Sequence, residues 1–598
     1  TYYSDTGAQI VYRDNENTDR FYQEDGSELT ITGTDGLASD TLQMAVEDQI
    51  GNSGTVTAQY LTEIHGLSAV SGRDYVGGIV GQATLVSAVD LLSNLTAVQY
   101  ERFELNHVAL TGGSGGYTVT ATGDRAGGAV GYAMGGDVVN VSIHDLRSVS
   151  AASYAGGFGG QIIPGTVAGQ NSNGLELLGL ISVSNLVSVI DAVHTFVRDS
   201  SVTGIPSGFS VTARNDAKNA AAGGFVAWSV NSKFTNCAVS RLAAAEADGY
   251  AGGFCAVADT GSIAGVLDNT FDTIDVMSLL GLNGVLSLLN TFPNRFNGCT
   301  VNGGSDLAYS VSAVPAGASD VPGERKDAQN RAGTNGTTCG SAGGFLGYGT
   351  AVQVTDCANE NLAAVDATSY AGGFGGYVTI GSVAQLGSAG IIGELASVTG
   401  IANLLDCAVS ILKTSHTQGP SGGCAITAFD RVSDLVGGWT DTGMAGGFIG
   451  NFEGSHIEGC YANHIDAVRG EEYAGGFIGR MAPGDVARAA EGTGGILDVI
   501  IELDGGLLSA LQTMVPSVKN SYAKCVPCGG TVLSYGSKLA GVTGDATKIG
   551  VAGGYVGLNA GGQIWGNDEN AAEVKERSAK TADYSGNAEH HETEVYGT

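Results

Sequence analysis

GGFLGYGTAVQVTDCANENLAAVDATSYAGGF, Gly343 to Phe374, begins and ends on the same three residues, and what lies between decides the fold. Phe345, Val352, Val354 and Val365 alternate with polar residues over short runs, and glycine and Asn/Asp clusters bound those runs. This is the pattern of short strands separated by turns. The first glycines of the two flanking motifs, Gly343 and Gly372, lie 29 residues apart.

The motif, small-Gly-Gly-apolar, recurs ten times. Its first glycines are Gly77, Gly127, Gly156, Gly223, Gly252, Gly343, Gly372, Gly446, Gly475 and Gly553. From Gly127 to Gly156, Gly223 to Gly252, Gly343 to Gly372 and Gly446 to Gly475 the step is always 29. The remaining steps are 50, 67, 91, 74 and 78. The unit is therefore a pair of motifs at fixed spacing, followed by an insertion of variable length. A fixed period between about 20 and 50 residues signals a repeat architecture. A step of 29 suits one coil of a right-handed parallel β-helix, built from three short strands and their turns. The glycine pair is expected at a corner where a side chain would strike the neighbouring coil. The Phe and Tyr beside it are expected to stack from coil to coil at the spacing of adjacent strands.

A second register supports this reading. Fourteen residues after the first glycine of a pair stand Cys237, Cys357 and Cys460, with Val141 at the same place in the earliest pair. Small residues at one register position predict a buried ladder rather than a three-cysteine metal site, because buried Cys commonly acts as a small hydrophobe. Cys299 with Cys339, Cys407 with Cys424, and Cys525 with Cys528 stand near equivalent places in three insertions. They are read as candidate disulfides closing the returns to the next coil in an oxidising, extracellular setting.

Nine residues after each Tyr-bearing motif the chain reads GTVA at Gly165, GSIA at Gly261, GSVA at Gly381 and GDVA at Gly484. Each opens an insertion in which apolar residues recur at i, i+3, i+4 and i+7. Helices are expected at about 84–96, 174–198, 266–290, 391–413 and 494–515, aligned along one edge of the β-helix. Residues 1–70 are read as an N-terminal cap or diverged repeat, 71–560 as the β-helix, and 561–598 as a polar tail or linker.

Composition limits function. Of 598 residues 96 are glycine and only 9 proline, with no Gly-X-Y period, which excludes collagen. The 43% hydrophobic content exceeds what a disordered chain carries. The net charge of −33 argues against a nucleic-acid partner, which needs a basic face. No uncharged run of 18 apolar residues spans a membrane, and no secretory leader is visible at Thr1.

Catalytic motifs are also wanting. There is no Gly-x-Ser-x-Gly elbow or P-loop. His590 and His591 begin like a zinc-protease motif, but Val595 stands where a further His is needed. The runs Asp14 to Asp19 and Gly566 to Glu573 could take up calcium, yet neither has EF-hand spacing, so solvated turns are expected. No cofactor and no enzymatic activity are expected.

The repeated Tyr-Ala-Gly-Gly-Phe-x-Gly block, as at Tyr154, Tyr370 and Tyr473, resembles the glycine-rich GLUG-type repeats of bacterial cell-surface proteins. Such repeats occur in adhesin-like proteins and in the non-catalytic part of immunoglobulin A-cleaving metallopeptidases. The resemblance covers roughly Tyr75 to Gly557 and implies a surface-exposed β-solenoid stalk or adhesive module. The long inserts depart from the compact repeat, and the peptidase motif is missing. The expectation is an extracellular structural or adhesive protein of a bacterial surface, a fibre- or layer-forming filament that associates with itself or binds a host glycan or protein. A polysaccharide-binding or polysaccharide-cleaving β-helix is the alternative.

Overall fold

The computed structural model describes residues 2–3, 9–13, 21–22, 28–29, 62–87, 100–165, 194–214, 220–260, 293–304, 306–314, 340–381, 408–429, 443–484, 514–535, 537–538, 547–548 and 550–566. Among the described residues there is no helix.

The insertion-free stretch from Ser341 shows how one repeat is built. The chain runs through Ser341–Gly343, Leu346–Thr350, Gln353–Thr355, Ala358–Glu360 and Leu362–Ala367 before Tyr370–Gly372 opens the next circuit. Five strand stations, not three, fill the 29 residues. Each station pairs in parallel with the same station of the neighbouring circuit. Thus Ser341–Gly343 pairs with Tyr370–Gly372, and Leu346 stands opposite Gly375. The first and second stations each form a ten-stranded parallel sheet, and the other three merge into one 26-stranded sheet. The protein is mainly β, a repeated stack of parallel sheets.

The glycine pair sits where the first station bends into the second. A Cβ on Gly343 would lie 2.0 Å from the Leu346 carbonyl oxygen, and one on Gly344 2.0 Å from the Gly373 oxygen of the next circuit. Each bend is tied to the next by the N–H of the residue after the glycine pair donating to the carbonyl of its counterpart, as from Phe345 to Phe374 at 2.9 Å; this residue is Phe at seven of the ten bends, with Ile79, Ala129 and Tyr555 at the others. The Phe side chains turn inward and stack. Phe158, Phe225, Phe254, Phe345, Phe374, Phe448, Phe477 and Tyr555 form one column with ring centroids 4.6–4.9 Å apart. Stacked pairs of this kind contribute about 0.5–1.5 kcal/mol each beyond the area they bury.

A second device turns the chain between the third and fourth stations. His107, Asn140, Asp199, Asn236, Asp356, Thr414 and Asn520 all have φ between 45° and 55°, as Gly298 and Gly459 do near 63°. Left-handed backbone is cheapest for Gly, Asn and Asp, which explains the Asn/Asp clusters of the sequence. The residue that follows each of these points inward, forming the column Val108, Val141, Ser200, Cys237, Cys299, Cys357, Ser415, Cys460, Ser521.

Circuits alternate in kind. Those opening at Arg125, Ala221, Ser341 and Met444 pass straight from second to third station, and those opening at Tyr154, Tyr250, Tyr370 and Tyr473 leave the sheet there. Exit and return are adjacent. Gly381 N–H donates to Ala408 O at 2.7 Å, Gly484 N–H to Met514 O at 2.8 Å, and Thr195 Oγ1 to Ile163 O at 2.6 Å. An insertion whose ends meet costs the sheet little.

Several expectations are corrected. Expected helix 266–290 lies outside the described residues, and of the other four only 84–87, 194–198, 408–413 and 514–515 are described. These are not helical: Val86–Ser87, Phe196–Arg198 and Ile411–Lys413 are strands, the last two being third stations of the sheet. Among the described residues the first strand of the repeated sheet is Thr62–Leu67 and the last is Gln563–Trp565. Tyr2–Tyr3, Gln9–Arg13, Phe21–Tyr22 and Glu28–Leu29 form a separate antiparallel sheet.

Candidate functional site

The outward side chains of the first two stations meet across the glycine bend. The first-station column reads Tyr75, Arg125, Tyr154, Ala221, Tyr250, Ser341, Tyr370, Met444, Tyr473, Val551. The second-station column reads Gln82, Tyr132, Gln161, Trp228, Val257, Tyr348, Tyr377, Asn451, Arg480, Leu558. Tyrosines of the first column occur in every second circuit, and most aromatics of the second column fall in the circuits between. The small residues Ala221 and Ser341 leave room for this diagonal packing. Ring centroids are 5.5 Å apart for Tyr75–Tyr132, 5.3 Å for Tyr154–Trp228, 5.6 Å for Tyr250–Tyr348 and 4.8 Å for Tyr370–Tyr377. The result is an aromatic stripe on the outward side of these stations, half-buried at Tyr132, Tyr154, Trp228, Tyr250 and Tyr348 and buried at Tyr370, Tyr377 and Met444.

Charge enters the stripe at two places. Near one end the Arg125 guanidinium lies 5.0 Å from the Tyr75 ring centroid, 5.2 Å from Tyr132 and 5.7 Å from Tyr154, and pairs with Asp124 at 2.7 Å. Burial, more than any neighbouring charge, raises the Tyr132 and Tyr154 phenols above their ordinary range, so both stay neutral donors at physiological pH. Toward the other end Glu453 accepts from Arg480 Nη1 at 2.6 Å, Tyr377 Oη at 2.6 Å and Asn451 Nδ2 at 3.3 Å. Glu453 is saturated with donors and faces no second carboxylate among these partners. The half-buried neutral rings suit a ligand with apolar faces, while the guanidinium and amide donors are engaged by Asp124 and Glu453.

The repeat glycines all stand at the bend. Cys237, Cys357 and Cys460 lie in the inward column, fully buried. Cys299 belongs there too: it stands between Cys237 and Cys357 in register, with Ser200, Ser415 and Ser521 filling equivalent places. Thiol and hydroxyl do the same work. Cys237 and Ser415 each donate to the carbonyl two residues back, at 3.4 Å and 2.7 Å, and the hydroxyls also accept the N–H of the preceding circuit, as Ser415 Oγ does from Cys357 N at 3.1 Å. Burial pushes the Cys237 and Cys357 thiols well up. At Cys299 burial acts the same way, while hydrogen bonds with the two flanking thiols pull it down.

The disulfide expectation is corrected for the described residues. Cys299 is a free thiol committed to the inward column, and Cys424 is a free, buried thiol. Cys525 and Cys528 are not joined to each other: one is buried and the other exposed. Cys339 and Cys407 lie outside the described residues, as do residues 14–19, 567–573, His590 and His591. No group of three or more His, Cys, Asp or Glu among the described residues is placed to hold a metal ion, and no described helix is long and apolar enough to cross a membrane.

Sequence reasoning found the first-station tyrosines but missed the second column. Its signal was a fixed offset of five from the first glycine: Gly127 to Tyr132, Gly223 to Trp228, Gly343 to Tyr348, Gly372 to Tyr377. Comparison with family models, with curated proteins and with solved structures found no match.

Proposed function

We propose that the chain is a right-handed parallel β-helix serving as an extracellular structural and adhesive module of a bacterial surface, with the aromatic stripe as its ligand-facing surface. The right hand follows from the general preference of crossovers between parallel strands. The observation that carries the functional reading is the stripe itself. Aromatic residues recur along it in register with the stack; Tyr75 is exposed and Tyr132, Tyr154, Trp228, Tyr250, Tyr348 and Tyr473 are half-buried, while Tyr370 and Tyr377 are buried, so a long, uncharged ligand would meet the exposed and half-buried rings from Tyr75 to Tyr348. A glycan strand at a host or bacterial surface has that chemistry. The net charge of −33 disfavours a polyanionic one. The resemblance to GLUG-type repeats of adhesin-like proteins points the same way.

The test is binding of the full chain to a panel of neutral and acidic polysaccharides and to mucin, comparing the native protein with Trp228→Ala and Tyr154→Ala. Binding to a neutral glycan that falls at least tenfold in both variants, with unchanged circular dichroism, is the expected outcome. Binding unaffected by either substitution would remove the stripe as the site. Release of new reducing ends from a bound polysaccharide would instead establish cleavage.

A further inference from the structure

The two ends of the stack are complementary. Among the described residues from Thr62 to Trp565 each of the five stations occurs ten times, because nine successive pairings link the strands of every column. The first described stations are the fourth and fifth, Thr62–Leu67 and Ala69–Gly72. The last are the first, second and third, Val551–Gly553, Val556–Asn559 and Gln563–Trp565. Among the described residues the stack therefore opens with two fifths of a circuit and closes with three fifths of one, and together these make one whole circuit.

Alternation of circuit type is in phase as well. The circuit opening at Val551 passes directly from second to third station, and the one opening at Tyr75 leaves the sheet between them. A circuit of the first kind is followed by one of the second kind throughout the stack, so Val551 followed by Tyr75 would continue the order.

Both ends expose core. The partly buried residues that edge the main core are Ile64, Leu67, Val70, Ile79, Val80, Phe103 and Leu105 at one end and Val532, Val556 and Ile564 at the other. Among the described residues, Ala69–Gly72 and Tyr75–Gly77 pair only with the circuit after them, and Thr531–Ser534 and Val551–Gly553 only with the circuit before. Open parallel edges with apolar flanks are templates for another strand.

We infer that the partner of these ends is a second copy of this chain, joined head to tail so that Ala69–Gly72 and Tyr75–Gly77 of one copy continue the columns ending at Thr531–Ser534 and Val551–Gly553 of another. The contact is heterologous, so it propagates into a filament rather than closing as a dimer. Ten circuits at about 4.8 Å each set an axial repeat of about 48 Å per copy. This deepens the structural part of the proposed function and is independent of what the aromatic stripe binds.

The outward fifth-station column runs Ser71, Thr120, Ser150, Thr212, Glu246, Ser312, Asp366, Thr427, Arg469, Leu533. Across the junction Leu533 of one copy would neighbour Ser71 of the next. The test mixes full-length Ser71→Cys with full-length Leu533→Cys, both in a Cys528→Ser background, and adds a short bifunctional maleimide. The expected result is a covalent heterodimer that neither variant forms alone. With the native chain, filaments with an axial repeat of about 48 Å are expected by electron microscopy. A third variant, Ser71→Pro, should abolish both. Ser71 stands in register with Thr120, on a strand where Thr118 and Thr122 donate toward the preceding circuit, so its N–H points out of the open edge and no internal bond is lost. No heterodimer at high protein concentration, cross-linking of one variant with itself, or a different axial repeat would each overturn the inference. Ligand binding by the Ser71→Pro protein reports on the stripe separately, so failure of assembly and failure of the adhesive reading give different results.

Discussion

Substituting Gly252 by Ala tests the whole account of the bend. A Cβ there would lie 1.9 Å from the Cys255 carbonyl oxygen, 2.5 Å from its carbon and 3.0 Å from Ala256 N. The obstacle is backbone, roughly 1.5 Å inside ordinary contact, and no rotamer change relieves it. The bend must open. Gly224 N–H donates to Gly252 O at 3.0 Å, Gly253 N–H to Gly343 O at 3.1 Å and Cys255 N–H to Phe345 O at 2.9 Å. Opening it also disturbs Phe254, stacked 4.7 Å from Phe225 and 4.9 Å from Phe345. Overpacking costs about 1–3 kcal/mol, and losing two ladder hydrogen bonds adds about 1 kcal/mol each. The expected loss is about 3–5 kcal/mol. Gly115→Ala is the control: its Cβ would meet nothing within 4 Å, and relief of unfolded-state entropy should leave it neutral or up to about 1 kcal/mol more stable. Urea denaturation compares the two. Hydrogen exchange locates the damage, because in a stacked repeat each circuit touches only its neighbours. Protection should fall in the circuits opening at Ala221, Tyr250 and Ser341 and hold near Arg125 and Tyr473. Equal stability of Gly252→Ala and Gly115→Ala would refute the reasoning.

Phe345→Ala removes a fully buried ring stacked on both sides and should cost about 3–5 kcal/mol by chemical denaturation. Asn236→Val places a β-branched residue at φ 52° and should cost about 1–2 kcal/mol, with Asn236→Gly close to native in the same assay. The buried cysteine column should resist alkylation. Burial pushes the Cys460 thiol up to about 12, so N-ethylmaleimide in native buffer should label Cys528 and spare Cys237, Cys299, Cys357 and Cys460 in peptide mass spectra until the protein is denatured. His416, packed flat on Tyr461 with centroids 4.5 Å apart, has its pKa lowered chiefly by burial, against the opposing pull of Glu360. Its folded pKa lies below its unfolded one, so its contribution to stability is present above about pH 6.5. That contribution is lost as the pH falls from there toward the folded value. The acid-side slope of urea stability between pH 7 and 5 should be shallower in His416→Gln.

Much of this was legible because a repeat writes its geometry many times over. Ten glycine pairs at one recurring spacing state where backbone approaches backbone, and Cys237, Cys357 and Cys460 at one offset state where a side chain faces a small space. What escaped the one-dimensional reading depends on pairing between circuits. Cys299 follows Gly252 at 47 residues rather than 14, because an insertion intervenes, so only the strand register from Ala238 to Thr300 places it in the column. Ser200, Ser415 and Ser521 share that fate, and a hydroxyl in place of a thiol hides the equivalence further. The apolar returns Phe196–Arg198 and Ile411–Lys413 carry a periodicity that reads locally as helix, yet they pair as strands because a parallel neighbour waits on each side. Periodicity measures a chain against itself, whereas strand pairing measures it against its neighbours.

By itself the sequence determined the local geometry that tolerates one residue type: the Gly-Gly bend, where a Cβ meets backbone, and the left-handed corner, where Asn, Asp and Gly cost least. Tertiary structure decided everything set by register between distant segments. It placed Trp228 beside Tyr154, put Cys299 between two other thiols, drew the ends of long insertions together, and matched the phase of the first and last circuits. Those outcomes depend on which edge hydrogen-bonds to which, a choice fixed by summing many weak pairings along the stack and written at no single position.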